Sequence, residues 1–268
     1  IIDKKMNNFI REKNYASIDS LIDELKTGNK NLISQVVEAM AFSDTSFFRN
    51  FDVFYQFENN ILPKLKEKCR ASKKLNIWSL GCSTGQEAYS IAMSVDRNNK
   101  MFADWNINIL ASDLSSIAIG RAQRGIYSNF EVQTGLNAQM ILRYFSQIGD
   151  NWIISDKIKK LIEFRKYNLL DEAIVKSKFE VVFCRNVLRY FTPELQSILL
   201  KRISEKQPQG GYLYLGKGEN ISTIEKYYQK IDSNGTYMSI GNSKPNTSSG
   251  NLSVSPSDND ALPTFVKP

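Results

Sequence analysis

The sequence contains no histidine among its 268 residues. This absence excludes Ser-His-Asp triads, the common histidine zinc sites and a histidine general base. The chemistry of the chain must therefore be metal-free, rest on carboxylates, or need no proton transfer. Cysteine is scarce as well: Cys69, Cys82 and Cys184 share no C-x-x-C spacing. We interpret them as reduced thiols and expect neither disulfides nor a bound metal.

Long apolar runs are also lacking. No run approaches the roughly 20 residues that a membrane-crossing helix needs, and the N-terminal stretch 1–13 does not resemble a signal peptide. We therefore expect a cytoplasmic protein without membrane insertion.

The remaining composition is that of an ordinary globular protein, with 42% hydrophobic and 24% charged residues. Its length allows one large domain with an appendage, or two domains. The net charge of +7 favours an acidic partner. The densest basic run, residues 64–74, is more typical of a solvated helix end and linker than of a nucleic-acid site. We predict no nucleic-acid partner, and we expect a monomer.

Helical periodicity dominates residues 1–70. One apolar face comprises Ile18, Leu21, Ile22 and Leu25 and ends before Gly28. A second stripe runs from Leu32 to Met40, and an aromatic-rich helix, whose phenylalanines we assign mostly to core packing, leads into the basic run. This pattern predicts an N-terminal helical domain with a basic linker over 1–70.

From residue 71 onward the pattern changes to alternating strands and helices. Predicted strands cover residues 75–81, 107–113, 161–168, 179–186 and 211–216, and Asn234-Gly235 predicts the turn of a closing hairpin. The fold class is therefore α/β, a Rossmann-like parallel sheet over 71–241. A long stretch at about 126–160 predicts a small inserted β-subdomain, and the polar composition of 242–268 predicts a disordered tail.

The stretch "LGCSTGQEAYSIAM", residues 80–93, places a glycine turn between a strand and a helix. It is not a phosphate loop, because Gly85 is followed by Gln86-Glu87 and not by Lys-Ser/Thr. The G-x-G-x-x-G dinucleotide pattern is missing as well. An acidic residue at the helix start would compete with a pyrophosphate. The turn suits a nucleoside ligand that carries hydroxyls or a positive charge.

Other polar residues follow the remaining strands, where ligands of open α/β sheets bind. Asp113 ends the second strand, Asn168-Leu169 the third, and Arg185-Asn186 the fourth. The Asp113 carboxylate can accept hydrogen bonds from a ribose diol, or it can merely cap the following helix. The combination of turn, acid and asparagine favours the ligand.

Several segments in a fixed order carry a family resemblance over roughly residues 30–240. They are "TSFFRN" (45–50), "IWSLGCSTGQEAYSIAM" (77–93), "ASDLSSIAIGRAQRGIY" (111–127), "FRKYNLLD" (164–171), "FEVVFCRNVLRYF" (179–191) and "GGYLYLGKGEN" (210–220). In this order they resemble the chemotaxis-receptor glutamate methyltransferases of the CheR type. The resemblance implies a class I methyltransferase sheet and S-adenosylmethionine as cofactor, with S-adenosylhomocysteine as product. The substrate would be glutamates on the cytoplasmic helices of methyl-accepting chemoreceptors.

The resemblance also implies roles for individual residues. The implied cofactor-binding set is Thr45, Arg49, Gly81, Glu87, Asp113, Asn168, Leu169 and Asn186. Arg49 and Tyr190 are the implied catalytic pair, although Arg49 could instead pair with a neighbouring acid and Tyr190 could be packing. No metal is implied. A carboxylate is ionised at neutral pH and attacks a sulfonium methyl without a general base, which agrees with the missing histidine.

This chain departs from the family pattern at Gln86, Ala88, Arg189 and Lys217. Two other functions therefore stay open: a methyltransferase of the same fold with another substrate, and a degenerate S-adenosylmethionine-binding signalling protein. The inserted element lacks a Gly-rich loop extension, so we expect direct recognition of receptor helices. Opposite charge places that contact on the N-terminal domain and on Lys157, Lys159 and Lys160.

Overall fold

The computed structural model describes residues 2–40, 44–171, 177–219 and 221–241. The predicted disordered tail, 242–268, lies outside the described residues. Five helices precede the first strand: α1 (Ile2–Glu12), α2 (Ile18–Lys26), α3 (Lys30–Met40), α4 (Phe51–Gln56) and α5 (Leu62–Lys68). A π-helical turn, Phe57–Ile61, joins α4 to α5, so the aromatic-rich segment forms one nearly continuous helical stretch.

A small core holds the first three helices together. Phe9, Leu21 and Leu32 are its buried side chains. The predicted apolar face of α2 is only partly correct, because Ile18 and Ile22 are 46% and 40% exposed. Three short helices cannot bury a wide stripe, since a small unit buries a small share of its surface.

Ten strands lie in the described residues: β1 (Lys74–Leu80), β2 (Asn106–Asp113), β3 (Ile126–Ser128), β4 (Phe145–Ile148), β5 (Asn151–Ile154), β6 (Ile162–Lys166), β7 (Val181–Cys184), β8 (Tyr212–Leu215), β9 (Tyr228–Lys230) and β10 (Thr236–Ser239). The helices between them are α6 (Gln86–Arg97), α7 (Ser116–Arg124), α8 (Asn129–Gln133), α9 (Ala138–Tyr144), α10 (Asp156–Lys159) and α11 (Pro193–Glu205).

Seven strands form the central sheet in the order β6-β2-β1-β7-β8-β10-β9. The first five in this order pair in parallel, and β10 runs antiparallel to both β8 and β9. This confirms the predicted α/β fold class, with each predicted strand inside the sheet. Because they are parallel, β1, β2, β6 and β7 all present their carboxyl ends at one edge. The closing hairpin turns at Gly235, where φ is +88°.

The inserted element is a three-stranded antiparallel sheet in the order β3-β5-β4. Ile148 pairs with Asn151, so only Gly149 and Asp150 connect β4 to β5. This tight hairpin leaves no room for a loop extension, as the sequence predicts.

Aromatic packing fixes the N-terminal segment against the central sheet. Phe183 of β7 stacks on Tyr214 of β8 with 4.4 Å between ring centroids. Phe54 of α4 and Phe57 of the π turn lie 6.1 and 5.3 Å from the Phe183 ring. The segment just before α4 therefore reaches the carboxyl edge of the sheet. This packing joins residues on both sides of residue 70, so it does not separate the two predicted domains. The predicted domain boundaries stay predictions. Within the described residues, no helix combines the length and apolar character needed to span a membrane.

Candidate active site

The glycine turn after β1 is shaped by close packing. Gly81, Ser83 and Gly85 all have positive φ, at +75°, +50° and +98°. A Cβ on Gly81 would lie 2.4 Å from Val187 Cγ2, so only glycine fits there. The Gly81 and Cys82 amides both donate to the Ser112 carbonyl, at 2.8 and 3.0 Å. The turn is thereby tied to the end of β2.

Asp113 fixes this turn from the opposite side. Its Oδ2 accepts from the Ser83 amide at 2.8 Å, and its Oδ1 accepts from the Ser115 amide at 2.9 Å. Ser115 in turn caps α7 by accepting from the Ala118 amide. The N-cap of α7 is therefore Ser115 and not Asp113, which holds the amide of that capping residue. Two amide contacts do not exhaust the Asp113 carboxylate, which can accept about four hydrogen bonds. Burial raises the pKa of Asp113, opposed by the two amides.

Glu87 lies in the first turn of α6 and points into the same region. Ser79 Oγ donates to its Oε1 at 2.9 Å, and Arg185 Nη1 lies 3.3 Å from its Oε2. Burial raises the pKa of Glu87, because the opposing effects of Arg185 and Ser79 are smaller. A cationic group of a ligand would therefore stabilise the ionised carboxylate.

Arg185 is a site residue that the sequence analysis places at the end of the fourth predicted strand without giving it a role. Its side chain is only 2% exposed. Besides Glu87 it donates to the Arg49 carbonyl at 2.9 Å and to Asn50 Oδ1 at 2.5 Å, and it lies 5.8 Å from the Phe54 ring centroid. It links the N-terminal segment to α6 and β7. The available signal was its position at the end of β7, directly before Asn186.

Arg49 reaches the cavity with its guanidinium already engaged. Nη1 donates to the Asp44 carbonyl at 2.6 Å, and Nη2 lies 3.1 Å from Asp44 Oδ2. The acid pairing that competed with a catalytic role is thus present. Asp44 is 81% exposed, however, and exposed pairs contribute little free energy. Another carboxylate can replace it at small cost.

A carboxylate stabilises the loop after β7. Glu219 accepts from the amides of Gly216, Asn186 and Arg189, at 2.6, 2.9 and 3.2 Å. Asn186 has φ of +62°, which these contacts stabilise. Glu219 therefore positions the short helical turn that carries Tyr190.

Tyr190 lies at the mouth of the cavity and is 53% exposed. The Arg189 guanidinium lies over its ring, 5.3 Å from the centroid, and Arg189 Nη2 is 3.3 Å from the Tyr190 hydroxyl.

On the opposite side of the site, Asn168 closes a turn after β6. Its Nδ2 donates to Asp171 Oδ1 at 2.9 Å, and its Oδ1 accepts from the Leu170 amide at 3.0 Å.

One cavity of about 400 Å³ brings the predicted residues together. All nine predicted positions line it: Thr45, Arg49, Gly81, Glu87, Asp113, Asn168, Leu169, Asn186 and Tyr190. Val37 and Met40, which belong to the second predicted apolar stripe, line this cavity as well. Convergence on one cavity is what the sequence predicts, while the role of each residue stays a prediction.

The cavity fits a ligand with hydroxyls and a positive charge. Ser83 Oγ and Arg185 Nε are buried and have no hydrogen-bond partner among the described residues. A polar ligand in the cavity could supply those hydrogen bonds. Glu87 and Asp113 supply acceptors whose ionised forms burial disfavours. Across the described part of the chain, no cluster of acidic and cysteine side chains could hold a metal ion.

Gln86, where the family pattern has an acid, has a structural explanation. Its Oε1 accepts from Thr84 Oγ1 at 2.8 Å, and its Nε2 lies 3.4 Å from Glu131 Oε1. Glu131 is also bound by Arg121 Nη2 at 2.7 and 2.8 Å. A glutamate at position 86 would face Glu131 without a proton to donate, whereas the amide supplies one.

Comparison with known proteins places the chain in a family. Residues 43–237 match the family described as CheR methyltransferase, SAM binding domain. The chain is 33% identical over 235 residues to chemotaxis protein methyltransferase 1 of Pseudomonas aeruginosa, covering 86% of this chain and 85% of that protein. It is 32% identical over 236 residues to chemotaxis protein methyltransferase Cher2 of Pseudomonas putida, covering 86% of each. The chain therefore belongs to the CheR methyltransferase family, and S-adenosylmethionine is its cofactor.

Proposed function

We propose that this protein methylates glutamate side chains of chemoreceptor cytoplasmic domains, forming methyl esters and releasing S-adenosylhomocysteine. Its relatives are chemotaxis protein methyltransferases, with 33% and 32% identity over most of both chains. The observation that carries the proposal is one cavity that combines two partly buried acids, Glu87 and Asp113, with Arg49 and Tyr190. The reaction would take place in the cytoplasm.

The cofactor, when bound, supplies an electrophilic methyl group on a sulfonium sulfur. In the proposal Glu87 binds its positively charged amino group, and the remaining acceptor positions of Asp113 bind the ribose hydroxyls. Asn168 and Leu169 face the adenine side. Thr45, Gly81 and Asn186 complete the cofactor-facing set, all of which line the same cavity.

The acceptor carboxylate needs orientation and no activation. A glutamate side chain has an ordinary pKa of about 4.3 and is ionised at neutral pH. The acceptor carboxylate replaces the exposed Asp44 and is held by the planar guanidinium of Arg49. The Tyr190 hydroxyl donates a further hydrogen bond to it. Attack must be collinear with the breaking carbon–sulfur bond, so positioning carries most of the rate. No group in this scheme removes a proton, which suits a chain without histidine.

The test is transfer of a tritiated methyl group from S-adenosylmethionine to a chemoreceptor cytoplasmic fragment. A methyl ester releases volatile methanol in base, so the label should be base-labile. The matched control is a fragment with its methylatable glutamates changed to glutamine, which should take up no label.

Other outcomes would overturn the proposal. Base-stable label on the fragment would mean a different linkage. Cofactor binding without transfer to any receptor fragment would mean a signalling protein without turnover. Tight binding to duplex DNA together with no response to receptor fragments would assign the basic surface to another partner.

A further inference from the structure

The cavity mouth carries a second guanidinium besides Arg49. Arg189 is exposed and lies directly before Tyr190 in the short helical turn after β7. Its guanidinium covers the Tyr190 ring at 5.3 Å and donates one N–H towards the hydroxyl at 3.3 Å. A guanidinium has five N–H donors, so most of its donor capacity is left for a ligand.

Besides Arg189, two other arginines line the cavity, and each of them pairs with a carboxylate. Arg185 pairs with Glu87, and Arg49 pairs with Asp44. Within the described residues, no carboxylate lies within ion-pair distance of Arg189. The nearest candidate, Glu219, uses its carboxylate to accept from backbone amides, among them that of Arg189 itself. The mouth therefore presents a cation that forms no direct ion pair within the described residues, although the charges of Glu219 and Asp44 act on it from further away.

We propose that Arg189 determines substrate specificity by binding a second carboxylate of the protein substrate, next to the glutamate that is methylated. This inference rests on the proposed function. Arg189 lies beside the Tyr190 hydroxyl that orients the acceptor, so the group it reaches must be close to the acceptor. On a substrate helix, side chains one turn apart have Cβ atoms about 5 to 6 Å apart. A second acid at that spacing would meet Arg189 while the acceptor meets Arg49.

The structure favours a second carboxylate over a second contact to the acceptor. Arg49 and Tyr190 already supply a guanidinium fork and a hydroxyl for the acceptor. The hydrogen bond with Tyr190 raises the pKa of Arg189, and the charges of Glu219 and Asp44 add to this effect. The cation is thus permanent, and its exposed position makes it sensitive to salt.

The experiment compares two substrates on three enzymes. One substrate is a chemoreceptor cytoplasmic fragment reduced to a single methylatable glutamate with an acidic neighbour within one helical turn. The other is the same fragment with that neighbour changed to glutamine. The enzymes are the wild-type protein, Arg189→Ile and Arg189→Lys, each checked for fold by its thermal transition and for cofactor affinity.

The wild-type protein should prefer the doubly acidic fragment by about fivefold to tenfold in kcat/KM, mostly through KM. Arg189→Ile should reduce this ratio to about one, and Arg189→Lys should restore part of it. High salt should reduce the wild-type ratio in the same way.

Two results would overturn the inference. An equal loss on both fragments in Arg189→Ile would mean that Arg189 acts on the acceptor or on Tyr190. A ratio of kcat/KM values in Arg189→Ile equal to that of the wild type would mean that Arg189 does not bind the neighbouring carboxylate. Failure of the proposed function is distinguishable, because the wild-type protein would then methylate neither fragment.

Discussion

At the scale of single residues, the backbone and the head group of Arg49 depend on different parts of the molecule. Phe47 and Phe48 before it are buried. The Phe48 amide donates to Ser90 Oγ at 2.9 Å, and the Arg49 carbonyl accepts from Arg185. Phe48 has φ of +47°, a strained value that this packing maintains. Among the described residues the guanidinium, by contrast, is held by the exposed Asp44, so it can exchange partners.

Changing Arg49 tests its proposed catalytic role. Arg49→Lys keeps the charge but loses the two-pronged geometry, so methyl transfer should slow by about 100-fold. Affinity for S-adenosylhomocysteine should fall far less than the rate. Arg49→Ala should be slower still. Single-turnover methyl transfer measured beside cofactor affinity separates the two effects.

The matched control is Arg97→Lys, since Arg97 pairs with Glu58 at 3.5 Å and does not line the cavity. It should leave the transfer rate near that of the wild type. If Arg49→Ala transferred methyl at the wild-type rate, Arg49 would only hold the Asp44 segment.

Glu87 predicts a pH dependence of cofactor binding. The ionised carboxylate binds the cofactor's ammonium, and burial raises the Glu87 pKa above its ordinary value of about 4.3. Affinity for S-adenosylhomocysteine should therefore be full at neutral pH and fall as the pH drops towards and through the raised pKa. Titration calorimetry between about pH 5 and 8 measures this.

Asp113 contributes a similar dependence, because burial raises its pKa too. The comparison with Glu87→Gln isolates Glu87. The variant should bind more weakly at neutral pH and keep only the Asp113 part of the dependence. Identical pH profiles in both proteins would remove Glu87 from the ammonium site.

At the scale of elements, one acid joins α6 to the inserted β-subdomain. Asp96, near the end of α6, has a side chain that is 4% exposed. Arg143 Nη2 lies 2.9 Å from its Oδ2, Lys157 pairs with its Oδ1, and the Tyr144 hydroxyl donates to it at 3.1 Å. Burial would raise the pKa of Asp96, but the hydrogen bonds from Lys157 and Arg143 outweigh it and lower the pKa. The helix that carries Glu87 is thus tied to the insert.

Asp96→Asn should lower the free energy of unfolding by about 2 kcal/mol at neutral pH, since charge-assisted hydrogen bonds are lost. The native pKa is depressed, so the stabilisation is present above the unfolded pKa of about 3.9 and is lost as the pH falls through the native value. Urea denaturation at pH 7 and at about pH 3 should show the gap between variant and wild type closing at the lower pH.

Asp156→Asn is the matched control in the same insert. Asp156 is 85% exposed, and its ion pair with Lys159 is long, at 3.9 Å. It should change stability by less than about 0.5 kcal/mol. A gap for Asp96→Asn that does not depend on pH would contradict the ion-pair explanation.

At the scale of the whole molecule, the basic side chains differ in whether they are available to bind an acidic partner. The net charge is +7. Lys157, which the sequence assigns to the receptor contact, is bound to Asp96, while Lys160 is exposed. Helix α2 carries Asp19, Asp23 and Glu24 against Lys26, so it offers an acidic receptor no attraction. The predicted N-terminal contact stays a prediction, and the charges of α2 do not favour an electrostatic contact through that helix.

Receptor binding should weaken as salt rises. Exposed charges are screened over about 10 Å at 0.1 M salt and over about 3 Å at 1 M. We expect the KM for an acidic receptor fragment to rise at least about threefold between ~0.05 and ~0.3 M salt, with a much smaller change in cofactor affinity.

Lys160→Ala should weaken fragment binding. The control Lys26→Ala should not, because Lys26 already pairs with Asp23 at 3.0 Å. Salt-independent KM values would contradict the electrostatic contact.

The sequence by itself determined the order of strands and helices, the α/β class, the glycine turn and the strand-end residues of the candidate site. The physical reason is that these features are local or follow from topology. Apolar periodicity identifies each element, and parallel strands bring their carboxyl ends to one edge. Asp113, Asn168 and Asn186 could therefore be placed at one cavity before any contact was known.

Only the tertiary structure decided which groups pair across the chain. Glu87 and Arg185 are 98 residues apart, and Asn186 and Glu219 are 33 apart. No local pattern encodes such a pair, because an arginine at a strand end looks the same whether it meets a ligand or a buried acid. The exposure of Ile18 and the pairing of Lys157 with Asp96 have the same origin. Apolar and charged side chains acquire their partners from packing, which depends on the whole chain.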